Sequence, residues 1–293
     1  MIGRSVDKDH AVGIGLVLLA IISLSIAPTL IKVGLAAEAG PITLLALRFL
    51  VAAVAFWTVF PLARRSALVM DRRGLLSCAA VAVANTISLL CFYLAAERID
   101  ASVAIMIFSL YPLFALLLLA TRGESITRRT VERLALAGAG VYLLIGLSGR
   151  SDTGGLLLAL GTAAAYAAHM VLAQWLLADY PPQTVALYTV TIMAGMMLGI
   201  WLLQGNSWQI LSPSGWMVIL VTGLVSTFVA RLAMFAAIHR IGSGQVALMG
   251  PLELLMGVVW TQIFLDERLS ALQIVGGLLI LASAILSTRR LAR

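Results

Sequence analysis

Ten runs of some twenty apolar residues, divided by short connections that hold most of the charge, leave this chain few folds to choose from. A hydrocarbon core about 30 Å thick is crossed by roughly 20 apolar residues in a helix. Cutting at charges, Pro/Gly clusters and polar turns places spans near 12–36, 42–63, 74–96, 101–121 and 131–148. A second set follows near 154–178, 183–204, 214–238, 243–265 and 270–288. Backbone groups in lipid must be satisfied within their own segment, so each span reads as a helix. The ten-residue alternation of membrane strands is missing from the sequence. Composition agrees, with 61% of the 293 residues hydrophobic and 11% charged, where soluble domains run at about 45–50% and 25%. A soluble fold of this size has nowhere to put so much apolar surface. The expected fold class is an all-α membrane protein of ten transmembrane helices.

The formal charge of +7 is a topology signal rather than a nucleic-acid footprint. With the N-terminus inside, fourteen Lys/Arg residues fall on cytoplasmic segments, among them Arg64, Arg65, Arg72, Arg73, Arg128, Arg129, Arg289 and Arg290. Three fall outside: Arg98, Arg150 and Arg268. This positive-inside bias favours an even number of spans, with both termini in the cytoplasm of an inner (plasma) membrane. The run from 11 to 31 exceeds the ~7–15 residues of a signal h-region and is read as an uncleaved first span. Cys78 and Cys91 lie on one predicted helix, about 20 Å apart at ~1.5 Å per residue, too far to bond each other. The only lysines, Lys8 and Lys32, follow Asp7 and Ile31, so the Gly-Lys of a P-loop is absent. No nucleic acid, cofactor, metal or ATPase subunit is expected as a partner; the lipid bilayer is.

Landmarks recur at a nearly constant offset. Arg98, at the end of the third span, corresponds to Arg240 after a shift of 142, and Glu124 corresponds to Glu267 after a shift of 143. The chain therefore divides into halves at 1–150 and 151–293. With five spans in each, the halves must insert in opposite senses, the inverted repeat of many secondary transporters. The competing reading is that apolar helices resemble one another anyway.

Pro41 followed by Leu47-Arg48-Phe49, Tyr111-Pro112 in the fourth span, Gly123-Glu124-Ser125 after it and Asp266-Glu267-Arg268 after the ninth form one pattern. It resembles the EamA-type drug/metabolite transporter superfamily, across essentially all of the chain and most like the bacterial amino-acid exporters of the YddG type. The resemblance implies a ten-helix exporter of small metabolites, with helices 1–4 and 6–9 around a central cavity. The chain departs from the pattern at Ser25-Ile26-Ala27-Pro28, where many relatives carry Trp-Gly, and at Pro251-Leu252-Glu253, whose proline is displaced from the position matching Pro112.

Ionisable groups within a span are functional candidates, because a charge in lipid costs at least ~2.5–3.5 kcal/mol. Lys32 and Arg48 lie near the outer ends of their spans and are expected to snorkel to the interface. Arg231, Glu253 and His169 lie deeper, in one slab some 10–15 Å from the cytoplasmic face at ~1.5 Å per residue. Arg231 and Glu253 stand on sequential helices and are expected to pair, either cementing those helices or leaving Glu253 or His169 to bind a solute amine or carry a proton. His169 alone more often serves packing.

Among uncharged residues, Asn85 and Ser88 share a face of the third span with Phe92, spaced i, i+3, i+7. Tyr166 shares a face with His169, and Phe108 one with Pro112; Tyr111 adjoins them. Pro112 removes a helix donor, and the freed carbonyl needs a partner or a wet cavity. These residues suit an aromatic cavity for small amphipathic solutes, which the resemblance would make amino acids or related metabolites; helix–helix glue is the alternative for each singly. Gly195 and Gly199 form a GxxxG expected to serve close packing. The rival functions are an intramembrane lipid-modifying enzyme, for which no HExxH, GxSxG or cysteine cluster speaks, and a membrane scaffold without flux.

Overall fold

The computed structural model describes residues 2–36, 40–63, 69–121, 128–145, 152–177, 179–205, 211–266 and 268–291. Among them there is no strand. The helices are α1 (Ile2–Ser25), α2 (Ala27–Ala36), α3 (Pro41–Ala63), α4 (Arg72–Arg98), α5 (Ala101–Phe108) and α6 (Tyr111–Ala120). They continue as α7 (Arg128–Ile145), α8 (Thr153–Leu177), α9 (Pro182–Leu203), α10 (Pro213–Gly223), a π-helical turn (Leu224–Val229), α11 (Ala230–Phe264) and α12 (Ala271–Leu291). Seven helical stretches among the described residues are long and apolar enough to cross a membrane, the first Ala11–Ala36 and the last Pro213–Met234. Helices α7, α11 and α12 cover the other expected spans. The Glu124 and Glu267 landmarks lie outside the described residues.

The bundle carries apolar side chains outside as well as inside. On α4, Ser77, Cys78, Val81, Asn85 and Ser88 face inward, while Leu76, Val83 and Ile87 are exposed. An apolar outer face around a polar-containing interior is what a lipid solvent selects. Both cysteines are free.

Two spans are broken, each by local chemistry. Pro112 sits in the first turn of α6 and has no N–H to offer the carbonyl four residues back. The chain turns at Ser109 and Leu110, where the Ser109 hydroxyl donates to the Met106 carbonyl at 2.6 Å. The resulting half-helices diverge. Helix α5 meets α11, where a Cβ on Gly257 would stand 3.4 Å from Ile105, whereas α6 packs Ala115 and Leu119 against Ala167 and Val171 of α8. In the first span, Pro28 follows a break at Ile26; there Ser25 donates to the Ile22 carbonyl and accepts from Trp260 Nε1 at 3.0 Å.

The third irregularity is the π-turn between α10 and α11. Thr222 Oγ1 donates to the Val218 carbonyl at 2.6 Å, and Thr227 Oγ1 donates five residues back to the Thr222 carbonyl at 2.9 Å. Such side-chain bonds compete with the backbone ladder and open it by one residue.

Helical backbone runs from Ala230 to Phe264, through the loop expected between 238 and 243. Even so, Met234 and Met256 pack on the same small cluster formed by Val17, Ile21 and Ala237. In a straight helix they would stand about 33 Å apart. The run therefore folds back on itself, and its two arms occupy the two expected spans.

Helix pairing is regular. Helices α4 and α8 lie side by side and antiparallel along their whole length, with Arg98–Asp152 at one end, Ser88–Thr162 and Val81–His169 between, and Asp71–Tyr180 at the other. Helix α1 packs on α11 and α7 on α12. Helix α3 runs antiparallel to α9, from Thr43–Trp201 to Trp57–Thr191. The GxxxG of α9 is not a close seam: a Cβ at Gly195 or Gly199 would meet open space within the chain.

Candidate functional site

The break in the fourth span brings the aromatic residues together. Phe108 ends α5, Tyr111 begins α6, and their rings stack with centroids 5.4 Å apart. Tyr166 of α8 stands edge-on to both, 5.0 Å from each. The His169 ring, one turn further along α8, lies 5.6 Å from Tyr166. Such edge-to-face and offset pairs are favourable ring geometries. Pro112 supplies the break; its side chain lies outside the described residues.

Two charges complete the group. Arg231 follows the π-turn by two residues, and Glu253 lies on the other arm of α11. Arg231 acts electrostatically on His169, Tyr166 and Glu253, and Glu253 acts on Tyr111 and Tyr166. All these groups are deep within the bundle, yet Tyr111, Tyr166, Arg231 and Glu253 each keep part of their surface accessible. Groups packed in a core lose that surface, and lipid-facing groups are not surrounded by protein. The combination makes these residues candidates for lining an internal chamber. Of the residues expected in one slab, Arg231 acts electrostatically on both His169 and Glu253. The direct Arg231–Glu253 ion pair is not formed: among the described residues the ion pairs are Arg98–Asp152 and Arg128–Glu132.

Other expected members go elsewhere. His169 is buried at 5% exposure, with Nδ1 3.1 Å from the Val81 carbonyl. A carbonyl only accepts, so Nδ1 carries the proton, and the ring is fixed against α4 at the chamber's edge. Asn85 and Ser88 do not line the chamber. Asn85 is buried with Nδ2 3.6 Å from Met193 Sδ, and Ser88 donates to the Thr162 carbonyl at 2.9 Å. Both are glue between helices. Phe92, on the same face, packs edge-on to Phe108 at 6.5 Å.

The snorkelling expected of Arg48 is overturned. The residue is 6% exposed and points into the bundle. Its Nε donates to Thr227 Oγ1 at 2.9 Å and Nη1 to the Tyr93 hydroxyl at 3.3 Å. Depth along the span misled, because the side chain turns towards acceptors on α4 and the π-turn rather than towards the interface. Lys32 stays local, its Nζ donating to the Ile99 carbonyl at 2.8 Å.

The model of the EamA-like transporter family matches this chain twice, over residues 11–146 and again over 153–289. No curated protein matches it. A solved crystal structure matches 97% of this chain and 99% of its own, with a TM-score of 0.64 and 19% sequence identity. At that identity the likeness is one of fold.

Proposed function

Since the chain belongs to the EamA-like transporter family, we propose that it is a secondary transporter exporting amino acids, aromatic and amphipathic ones foremost, or related small metabolites. Membership makes it a multi-pass membrane protein of a family that moves small molecules rather than one of enzymes. The finer reading is alternating access between two inverted halves, 1–150 and 151–293, in the inner membrane with both termini cytoplasmic. The observation that carries it is the chamber: one arginine, one carboxylate and two tyrosines, deep in the bundle and still accessible.

The helix pairing supports the inversion. Under the 142-residue shift the third span exchanges with the eighth and the first with the sixth. Accordingly the α4–α8 contact has its counterpart in α1–α11. The second spans of the two halves, α3 and α9, pack on each other antiparallel. A two-fold relation in the membrane plane gives that pattern, and it puts the solute site where the halves meet.

Tyr111, Tyr166 and Phe108 offer ring faces to an apolar side chain, while Arg231 and Glu253 offer opposite charges, held apart, to a carboxylate and an amine. Glu253 either binds the amine or carries the coupling proton. The deciding experiment is uptake of an amino-acid panel into proteoliposomes, with and without a pH gradient. Saturable flux of aromatic amino acids is expected; no movement of any solute by well-folded protein would remove the reading.

A further inference from the structure

Arg48 is a buried cation whose partners are all neutral. Besides Thr227 Oγ1 and the Tyr93 hydroxyl, its Nη2 reaches the Ser226 carbonyl at 3.5 Å, and its guanidinium lies 5.8 Å from the Phe49 ring centroid. No carboxylate pairs with it among the described residues. A charge so placed is costly unless its donors are used, and two of the three acceptors belong to one feature, the π-turn.

The turn and α3 are close neighbours. A Cβ on Gly223 would stand 2.8 Å from Val51 Cγ1 and 3.0 Å from the Arg48 carbonyl, so glycine lets the two backbones meet. A π-turn leaves the helical ladder loosened and its carbonyls poorly served. The planar fork of Arg48 reaches one such carbonyl and a neighbouring hydroxyl. Arg231 follows the turn by two residues, so the path of the turn sets where its side chain starts.

We propose that Arg48 is a positioning residue: from the N-terminal half it clamps the π-turn of the C-terminal half and so sets how Arg231 presents itself to the chamber. The role of Arg231 towards a solute rests on the transporter reading; the clamp does not.

Hydrogen–deuterium exchange over 222–231, in lipid nanodiscs, reads the clamp without any solute. Arg48→Leu and Thr227→Val, the second nearly isosteric, should each raise exchange there roughly tenfold, with α8 unchanged. Arg48→Lys keeps the charge without the fork and should loosen the turn as Arg48→Leu does. In proteoliposomes with phenylalanine as the probe, Arg48→Leu and Thr227→Val should raise KM roughly tenfold while Vmax stays within about twofold. Unchanged exchange in both variants, or full restoration by lysine, overturns the clamp. A loosened turn with unchanged KM overturns the positioning of Arg231. If the unaltered protein moves no phenylalanine, the transporter reading loses support while the exchange result still decides the clamp.

Discussion

Along the α4–α8 seam, polar side chains that lipid would penalise have direct partners. Ser88 bonds the Thr162 carbonyl, His169 the Val81 carbonyl and Tyr180 the Asp71 carboxylate. In the adjoining chamber, Arg231 and Glu253 sense each other's charge without touching, and both retain accessible surface. The seam is closed chemistry, in which removing one partner weakens a helix contact. The chamber is open chemistry, with charges held apart as a solute with two charged ends requires. In the middle of the seam exposure separates the two regions better than polarity does, since Ser88 and Thr162 are each 2% exposed.

That contrast breaks first, if it breaks, at Arg231. Arg231→Leu leaves Glu253 without its nearest described cation, and loss of one partner of a buried pair costs about 3–5 kcal/mol when the two are in contact. Here the charges are apart, so a smaller penalty is expected, and Arg231→Leu with Glu253→Gln should recover part of it. Thermal melting and flux per folded molecule, measured on the single and double variants, check this. Equal damage from both would mean that the charges act independently.

Glu253→Gln alone comes next. It keeps the shape and should lower flux about tenfold or flatten its pH dependence, with normal abundance. A fall in abundance alone would move Glu253 from the chamber to the seam. Ser88→Ala is the matching seam experiment: a lost interhelical hydrogen bond in membrane averages about 0.6 kcal/mol. Melting should fall slightly while KM and Vmax per folded molecule stay put. A changed KM would return Ser88 to the solute's path.

Much of this arrangement was legible in the residues, for physical reasons. Span length reports on the membrane directly, and contacts such as Arg98–Asp152 and Asp71–Tyr180 join segments expected on the same side as each other. The missing donor of Pro112 was legible, whereas the break that brings Phe108 and Tyr111 together was not. What stayed hidden was direction. Sequence gives a charge its depth along a span but not its bearing around the helix, so Arg48 looked like an interfacial residue and proved to be an internal one. Asn85 and Ser88 failed likewise: a polar residue in lipid requires a partner, and a neighbouring helix serves as well as a cavity. The π-turn has no period of its own; two threonines bonding back to carbonyls were its only trace. The GxxxG of α9 misled because small residues permit a close approach without causing one.

The smallest effect belongs to the exposed end of the seam, at Asp71 and Tyr180. Asp71 caps α4, its Oδ1 accepting from the Tyr180 hydroxyl at 2.7 Å and from the Gly74 N–H at 2.9 Å. The Tyr180 bond, then the Gly74 bond, hold the Asp71 carboxyl below its ordinary 3.8, and the same carboxylate holds the Tyr180 phenol above its ordinary 10.0. The signs follow by linkage. For Asp71 the stabilisation is full above pH 3.8 and is lost as pH falls through the depressed native value; for Tyr180 it is full below pH 10.0 and is lost as pH rises through the elevated one. Between those limits the contact holds α4 to the segment after α8. Tyr180→Phe removes the larger cause, so the Asp71 carboxyl should titrate closer to its ordinary value, and acid-induced melting should begin at a higher pH. Because the pair is exposed, neutral-pH melting should barely move. Carbon NMR of labelled aspartate reads the titration; an Asp71 signal indifferent to Tyr180→Phe would show that the hydroxyl does not hold the carboxylate, and the seam would then end at His169 and Val81.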